Sequence, residues 1–271
     1  MSNTRTYAWR VDSGELALEV SASSDRGLVR VVNEDSYLAV PPVFLVADGM
    51  GGHAFGDQAS QAIARTLEER LVADVLPTVE SVLAAVHDAD GIVHRIGASD
   101  VAGSTLAGIA LISDDDGAPR WMAFNVGDSR VYRYDGKLRQ LTVDHSAVQE
   151  LLDEGSIGLE EAASHPERNV ITRAIGIGDS KPDVWIMPFG ADECFVICSD
   201  GLTKEVTDAQ IADILASSGG EAHADRLVAA ALAAGGIDNV TAVVVHARLR
   251  PHAGTPAAPL VAHLEETLPR T

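Results

Sequence analysis

The sequence predicts an α+β fold in which two mainly antiparallel sheets pack together and helices cover the outside. Three observations lead there. Apolar runs of strand length end repeatedly at Asp or Gly. Two stretches instead repeat their apolar residues at helical spacing. Strands and helices do not alternate regularly, which argues against a doubly wound parallel sheet. The core is aliphatic, because 46% of the 271 residues are hydrophobic but only 4% aromatic.

Leu16–Ala22 alternates as a strand, and Val29–Val32 reads as a short second one. Val43–Ala47 is a continuous apolar run ending at Asp48, the pattern of a strand buried on both faces. Gly49–Gly56 holds four glycines and is expected to be a turning loop. Residues 59–71 and 79–96 carry helical periodicity, with Pro77 separating the two helices. Strands are then expected over Thr105–Ile112 and Trp121–Val126, joined by a turn at 114–117. Asp135-Gly136 predicts a hairpin between Arg130–Tyr134 and Leu138–Leu141. Ser146–Glu154 reads as a short helix, and 155–168 as a polar, flap-like continuation. Val184–Phe189 and Cys194–Cys198 are strands, Asp208–Ala216 and Glu221–Ala234 helices, and Val240–Leu249 the last strand. We expect one domain over 1–250, with a flap at about 146–169. A Pro/Ala-rich tail follows at 251–271, in which Leu260–Leu268 has the composition of a short helix.

Charge and cysteine content exclude several classes of function. A net charge of −20 disfavours nucleic acid and anionic membranes as partners. No apolar run reaches the ~20 residues of a membrane helix, and the first ten residues lack a signal-peptide core. Cys194 and Cys198, four apart on one strand, lie roughly 13 Å apart, too far for a disulfide. They are expected to be buried thiols in a reducing, cytoplasmic setting.

Five acidic signatures carry the chemistry, most of them placed after strand-like runs. They are Asn33-Glu34-Asp35, Asp48-Gly49-Met50-Gly51-Gly52-His53, Gly127-Asp128-Ser129-Arg130, Ser199-Asp200-Gly201 and Asp238-Asn239. Carboxylates at strand ends can meet at one point, where they need cations, and ligands made only of oxygen select Mg²⁺ or Mn²⁺.

Other motifs complete an ordered set with these signatures. They are Ser24-Asp25-Arg26-Gly27-Leu28-Val29-Arg30, Gly103-Ser104-Thr105, Thr142-Val143-Asp144-His145-Ser146, Ile171-Thr172-Arg173-Ala174-Ile175-Gly176 and Asp238-Asn239-Val240-Thr241. Over roughly residues 17–248 this set resembles the bacterial metal-dependent protein serine/threonine phosphatases of type 2C. The resemblance implies a four-layer α-β-β-α sandwich and two core Mn²⁺ or Mg²⁺ ions, with a third possible. It also implies a water, activated between the ions, that hydrolyses phosphoserine and phosphothreonine in proteins. Asp48 is expected to bridge the two ions and Gly49 to offer its carbonyl. Asp200 and Asp238 complete the first ion, while Asp35 with Glu34 holds the second. Asp128 is either a ligand of a third ion with Asp200 or a turn former bonding its own backbone.

Arg30 is the candidate phosphate clamp, since a guanidinium pairs two phosphate oxygens at once; the competing reading is a surface or salt-bridged arginine. Arg26 reads as a solvated loop residue, and Arg130 and Ser129 as partners of the turn. Some members of the family have a histidine immediately after the Asp-Gly pair, where this chain has Met50. A water is therefore the expected proton donor, with His53 the protein alternative. His145 reads as structural, and His87 and His94 as exposed helix residues. The implied partners are phosphorylated proteins, among them Ser/Thr kinases, and the chain is expected to be a monomer. Two further readings stand beside this one: a phosphatase of a phosphorylated anti-sigma antagonist, and a silent phosphoprotein-binding module. The second is disfavoured because Asp48, Asp200 and Asp238 are all retained.

Overall fold

Val43–Ala47 shows why the chain folds in layers. In the computed structural model, Val43, Leu45 and Ala47 enter one apolar cluster while Phe44 and Val46 enter another. A strand with two buried faces needs cover on both sides. The structure describes residues 4–11, 14–51, 55–73, 75–97, 102–162, 164–217 and 223–251. The expected tail beyond Pro251 and its Leu260–Leu268 helix lie outside them, as does His53.

The first sheet is built from β1 (Thr4–Val11), β2 (Gly14–Asp25), β8 (Arg130–Tyr134), β9 (Leu138–Gln140), β11 (Asp192–Cys198) and β12 (Val240–Pro251). Its order is β1-β2-β12-β11-β8-β9. The second sheet runs β10-β7-β6-β4-β3. Its members are β3 (Asp35–Val40), β4 (Val43–Gly51), β6 (Leu106–Ser113), β7 (Pro119–Val126) and β10 (Asp183–Pro188). The short β5 (Ala102–Ser104) pairs with the end of β4. All the strand pairs are antiparallel.

Three apolar layers hold the sandwich together. Leu16, Leu18, Val20, Phe44, Ile109, Trp121, Phe195 and Val245 fill the space between the sheets. Helices α1 (Phe55–Leu71) and α2 (Val79–Ile96) place Ile63, Leu67, Val82 and Val86 against the outer face of the second sheet. Helices α6 (Asp208–Ala216) and α7 (His223–Ala234) do the same for the first, with Ile211, Leu215, Leu227 and Ala231 on Val196 and Val244. The result is the expected four-layer α-β-β-α arrangement. Two helix starts are fixed by reciprocal capping, Thr78 with Ser81 and Thr207 with Gln210. Helices α3 (Ala147–Asp153) and α4 (Leu159–Ala162) lie in the flap-like segment. That segment is rooted where His145 N–H donates to Gly127 O at 2.9 Å. A single turn, α5 (Asp200–Thr203), follows β11.

Two expectations are corrected. Val29–Val32 is not a strand. The first sheet's pairing of β2 ends at Asp25, Gly27 turns the chain at φ +78°, and Val29, Val31 and Val32 stand exposed with no strand beside them. Gly49–Gly56 is not all loop, because β4 continues to Gly51 by pairing Gly49 with Ser104 and Gly51 with Ala102, and α1 opens at Phe55. Strands β1 and β3 are not evident from the pattern, for their faces are only partly covered and their alternation is diluted by polar residues.

Candidate active site

Antiparallel register carries the acidic signatures to one end of the sandwich. Asp35 opens β3 and faces Asp48 across the β3–β4 pair. At that end of the same sheet, Leu106 faces Val126, so the Gly127-Asp128-Ser129 turn leaves β7 beside them. The turn crosses to the other sheet, where Arg130 faces Cys198. Asp200 lies just after Cys198, and Asp238 just before Val240, which pairs with Asp25. Five carboxylates from both sheets thus meet at one mouth.

The backbone beneath them is tied down by polar side chains. Thr105 Oγ1 accepts from Asp48 N–H at 3.0 Å, and Thr105 N–H donates to Asp48 O at 2.9 Å. Ser104 Oγ donates to the same carbonyl at 3.0 Å. Ser199 Oγ donates to Asp35 Oδ2 at 2.8 Å and accepts from Thr241 N–H at 3.0 Å. The buried Asn239 joins the Asp238 turn to the segment carrying Arg30. Its Oδ1 accepts from Glu34 N–H, and its Nδ2 donates to Arg26 O and Val32 O, each at 2.9 Å. Gly49 has a steric reason of its own: a Cβ there would lie 2.0 Å from Gly56 O and 2.8 Å from Glu34 O.

Crowding of like charge in a dry site shows in the acidities of the metal-free protein. Burial, then the neighbouring carboxylates, pushes Asp35 up to about 7 against the hydrogen bonds of Thr241 and Ser199. Burial and Asp35, Asp200, Asp128 and Asp238 hold Asp48 well above the usual carboxylate range. Burial and Asp200 push Asp128 up to about 7, with Lys204 opposing. Burial also raises Glu34, with Arg30 opposing. Two cations offset part of this charge. Arg30 Nη2 lies 2.9 Å from Asp238 Oδ1 and 3.0 Å from Oδ2. Lys204 Nζ is ion-paired with Asp200 and lies 3.5 Å from Asp238 Oδ2.

Asp35 Oδ1, Asp128 Oδ1 and Asp200 Oδ1 are buried with no hydrogen-bond partner among the described residues. Unsatisfied buried carboxylate oxygens of this kind fit hard divalent ions. Among the described residues no three His, Cys, Asp or Glu side chains stand as a group that could hold a metal ion as placed. Lys204 and Arg30 hold Asp200 and Asp238 instead.

The other candidates sort by geometry. Arg26 is an exposed loop residue. Arg130 is bound to Asp144 through Nε and Nη2, and to Tyr132 Oη through Nη1. His145 is buried, accepts from Gly127 N–H at 3.1 Å and lies 3.3 Å from Asp183, which places it in the scaffold. His87 and His94 are exposed on α2. Sequence reasoning does not single out Lys204, nor the joining role of Asn239. Lys204 stands four residues after Asp200, a helical-turn spacing, but that signal needs α5 to be known first.

Comparison with known proteins places this arrangement. The pattern of the family protein phosphatase 2C matches residues 31–233. This chain belongs to the protein phosphatase 2C family. It is 39% identical over 235 residues to the serine/threonine protein phosphatase PstP of Mycobacterium tuberculosis, covering 84% of this chain and 45% of that protein. The chain therefore spans about half the length of that relative. It is 34% identical over 242 residues to the serine/threonine phosphatase stp of Listeria innocua, covering 83% and 94%. The catalytic domain of PstP, solved in complex with two manganese ions, superposes with a TM-score of 0.76 at 36% identity, covering 86% and 99%. The fold described above is thus that of a metal-dependent phosphatase domain of the protein phosphatase 2C family. Among the described residues no helix is long and apolar enough to cross a membrane.

Proposed function

We propose that this chain hydrolyses phosphoserine and phosphothreonine in proteins, opposing Ser/Thr kinases, with two Mn²⁺ or Mg²⁺ ions. One observation carries the reading. Buried carboxylates from both sheets converge with oxygens that no described residue satisfies, beside a half-exposed guanidinium. Asp48, the Gly49 carbonyl, Asp200 and Asp238 would hold one ion, and Asp48 with Asp35 and Glu34 the other. Asp128 is the further candidate ligand. Ions held there supply positive charge that acidifies water and stabilises negative charge gathering on the phosphoryl oxygens.

The protein's own residues do the rest. Arg30, whose side chain is 51% exposed, is free on its outer side to take two phosphate oxygens. Thr105 and Ser104 fix the Asp48 backbone and Ser199 fixes the Asp35 carboxylate, so that these groups need not reorganise during the reaction. The reaction transfers the phosphoryl group to water: the bond from phosphorus to the seryl or threonyl oxygen breaks, one from phosphorus to water oxygen forms, and inorganic phosphate leaves. No protein nucleophile is required, and the two cysteines are buried away from solvent. Their free thiols support a cytoplasmic setting.

The test is phosphate release from a phosphothreonine peptide with Mn²⁺ and with EDTA, for wild type, Asp238→Asn and Arg30→Ala. We expect release only with the metal ion, loss of most turnover in Asp238→Asn, and a raised KM in Arg30→Ala. Near-native turnover of Asp238→Asn at saturating Mn²⁺ would refute the site assignment. No release by wild type with any divalent ion would leave a phosphoprotein-binding module.

A further inference from the structure

Lys204 has no part in the chemistry above, yet it sits among the carboxylates that perform it. It follows directly on α5, where its N–H bonds Asp200 O at 2.8 Å. Its side chain folds back over that turn. The ammonium pairs with Asp200 Oδ2 and lies 3.5 Å from Asp238 Oδ2. Its charge also acts on Asp128, whose buried Oδ1 has no hydrogen-bond partner. An aspartate four residues before a lysine is the favourable helical order for this pairing. The side chain remains 37% exposed, so it reaches the cluster from the solvent side.

We propose that Lys204 is a tethered cation standing where a third divalent ion would bind, between Asp128 and Asp200, so that this chain binds two metal ions and not three. The inference rests on the phosphatase reading above. An ammonium carries one positive charge and three donors and no acceptor. It can therefore neutralise two or three carboxylates at once, and a divalent ion cannot occupy the position it fills beside Asp128 and Asp200. Like-charge repulsion at such short range, in a site partly removed from water, weakens binding of that ion strongly. Asp48, Asp35 and Glu34 have no hydrogen bond or ion pair with Lys204, and the ammonium holds Asp200 through Oδ2, leaving Oδ1 without a partner among the described residues, so the two core ions remain possible through that oxygen once the ammonium cedes Asp238 to them.

The experiment counts Mn²⁺ bound per chain, by calorimetry and native mass spectrometry, for wild type, Lys204→Arg, Lys204→Ala and Lys204→Ala/Asp128→Asn. Phosphate release by wild type is measured in parallel. Wild type and Lys204→Arg should bind two ions. Lys204→Ala should bind a third, at least about 10-fold more tightly than any weak third event in wild type, and Asp128→Asn should abolish it. Because Lys204 is on the surface, Lys204→Ala is expected to fold, and Lys204→Arg controls for the charge. The same stoichiometry and affinities in Lys204→Ala as in wild type would overturn the role of Lys204 while leaving an active two-metal phosphatase. So would a third ion bound by wild type as tightly as by Lys204→Ala, or a third ion in Lys204→Ala indifferent to Asp128→Asn. No Mn²⁺ bound and no phosphate released by wild type would overturn both this inference and the proposed function.

Discussion

Replacing Asn239 with alanine tests how the site is held together. The side chain makes three hydrogen bonds of 2.9 Å, to Glu34 N–H, Arg26 O and Val32 O, and the residue is only 4% exposed. A typical intramolecular hydrogen bond contributes about 0.5–1.5 kcal/mol net, so three give about 1.5–4.5 kcal/mol. The 26–34 segment is largely exposed, and its freed backbone groups can recruit water, which favours the lower half of that range. The assay is urea unfolding at fixed Mn²⁺, since bound metal adds to stability. A functional readout accompanies it. The loosened segment carries Arg30 and Glu34, so KM for a phosphopeptide should rise more than kcat falls. Asn239→Asp keeps an acceptor for Glu34 N–H but turns a carboxylate toward two carbonyl oxygens, and should be destabilised to a similar degree. If Asn239→Ala changes stability by less than about 0.5 kcal/mol, the range of an ordinary surface substitution, the joining role assigned to Asn239 is wrong.

Three further outcomes are expected. Gly49→Ala places a Cβ 2.0 Å from Gly56 O, a backbone atom that cannot rotate away; it should cost about 3 kcal/mol or more in a melt, and a native-like melting temperature would contradict the packing described. In EDTA, stability should fall as pH rises from about 4 to 7. Asp35 and Asp128 are raised to about 7 in the folded state, so across that interval the folded chain holds protons that the unfolded chain has lost. Mn²⁺ should flatten the dependence, and a metal-free melting temperature that climbs with pH would reverse the sign of the argument. Burial pushes the Cys194 and Cys198 thiols up to about 12, so a thiol reagent at neutral pH should label neither until denaturant is added; rapid labelling of the native protein would count against it.

The parts of the fold that read clearly from the sequence share a physical cause. Val43–Ala47 and Cys194–Cys198 are apolar on both faces because both faces are buried, and α1 and α2 show their covered stripe directly. Strands at the margins do not read, because β1 and β3 bury too little to impose a period. Val29–Val32 reads wrongly for the converse reason. Its apolar residues resemble a strand, but among the described residues no neighbouring strand pairs with it.

The carboxylates themselves, Glu34, Asp35, Asp48, Asp128, Asp200 and Asp238, are legible in sequence because each sits in a short signature at the end of an element. Their chemical type alone selects a hard cation. That they meet depends on register: Asp35 faces Asp48, Arg130 faces Cys198, and the turn between β7 and β8 joins the two sheets. Only the tertiary structure decides which groups without a motif enter the site. Lys204, which no motif marks, reaches Asp238 from 34 positions away; Arg30, which its motif marks, is brought onto the same carboxylate from 208 positions away. Local sequence encodes what a side chain can do, while long-range pairing of strands decides which charges share one low-dielectric space.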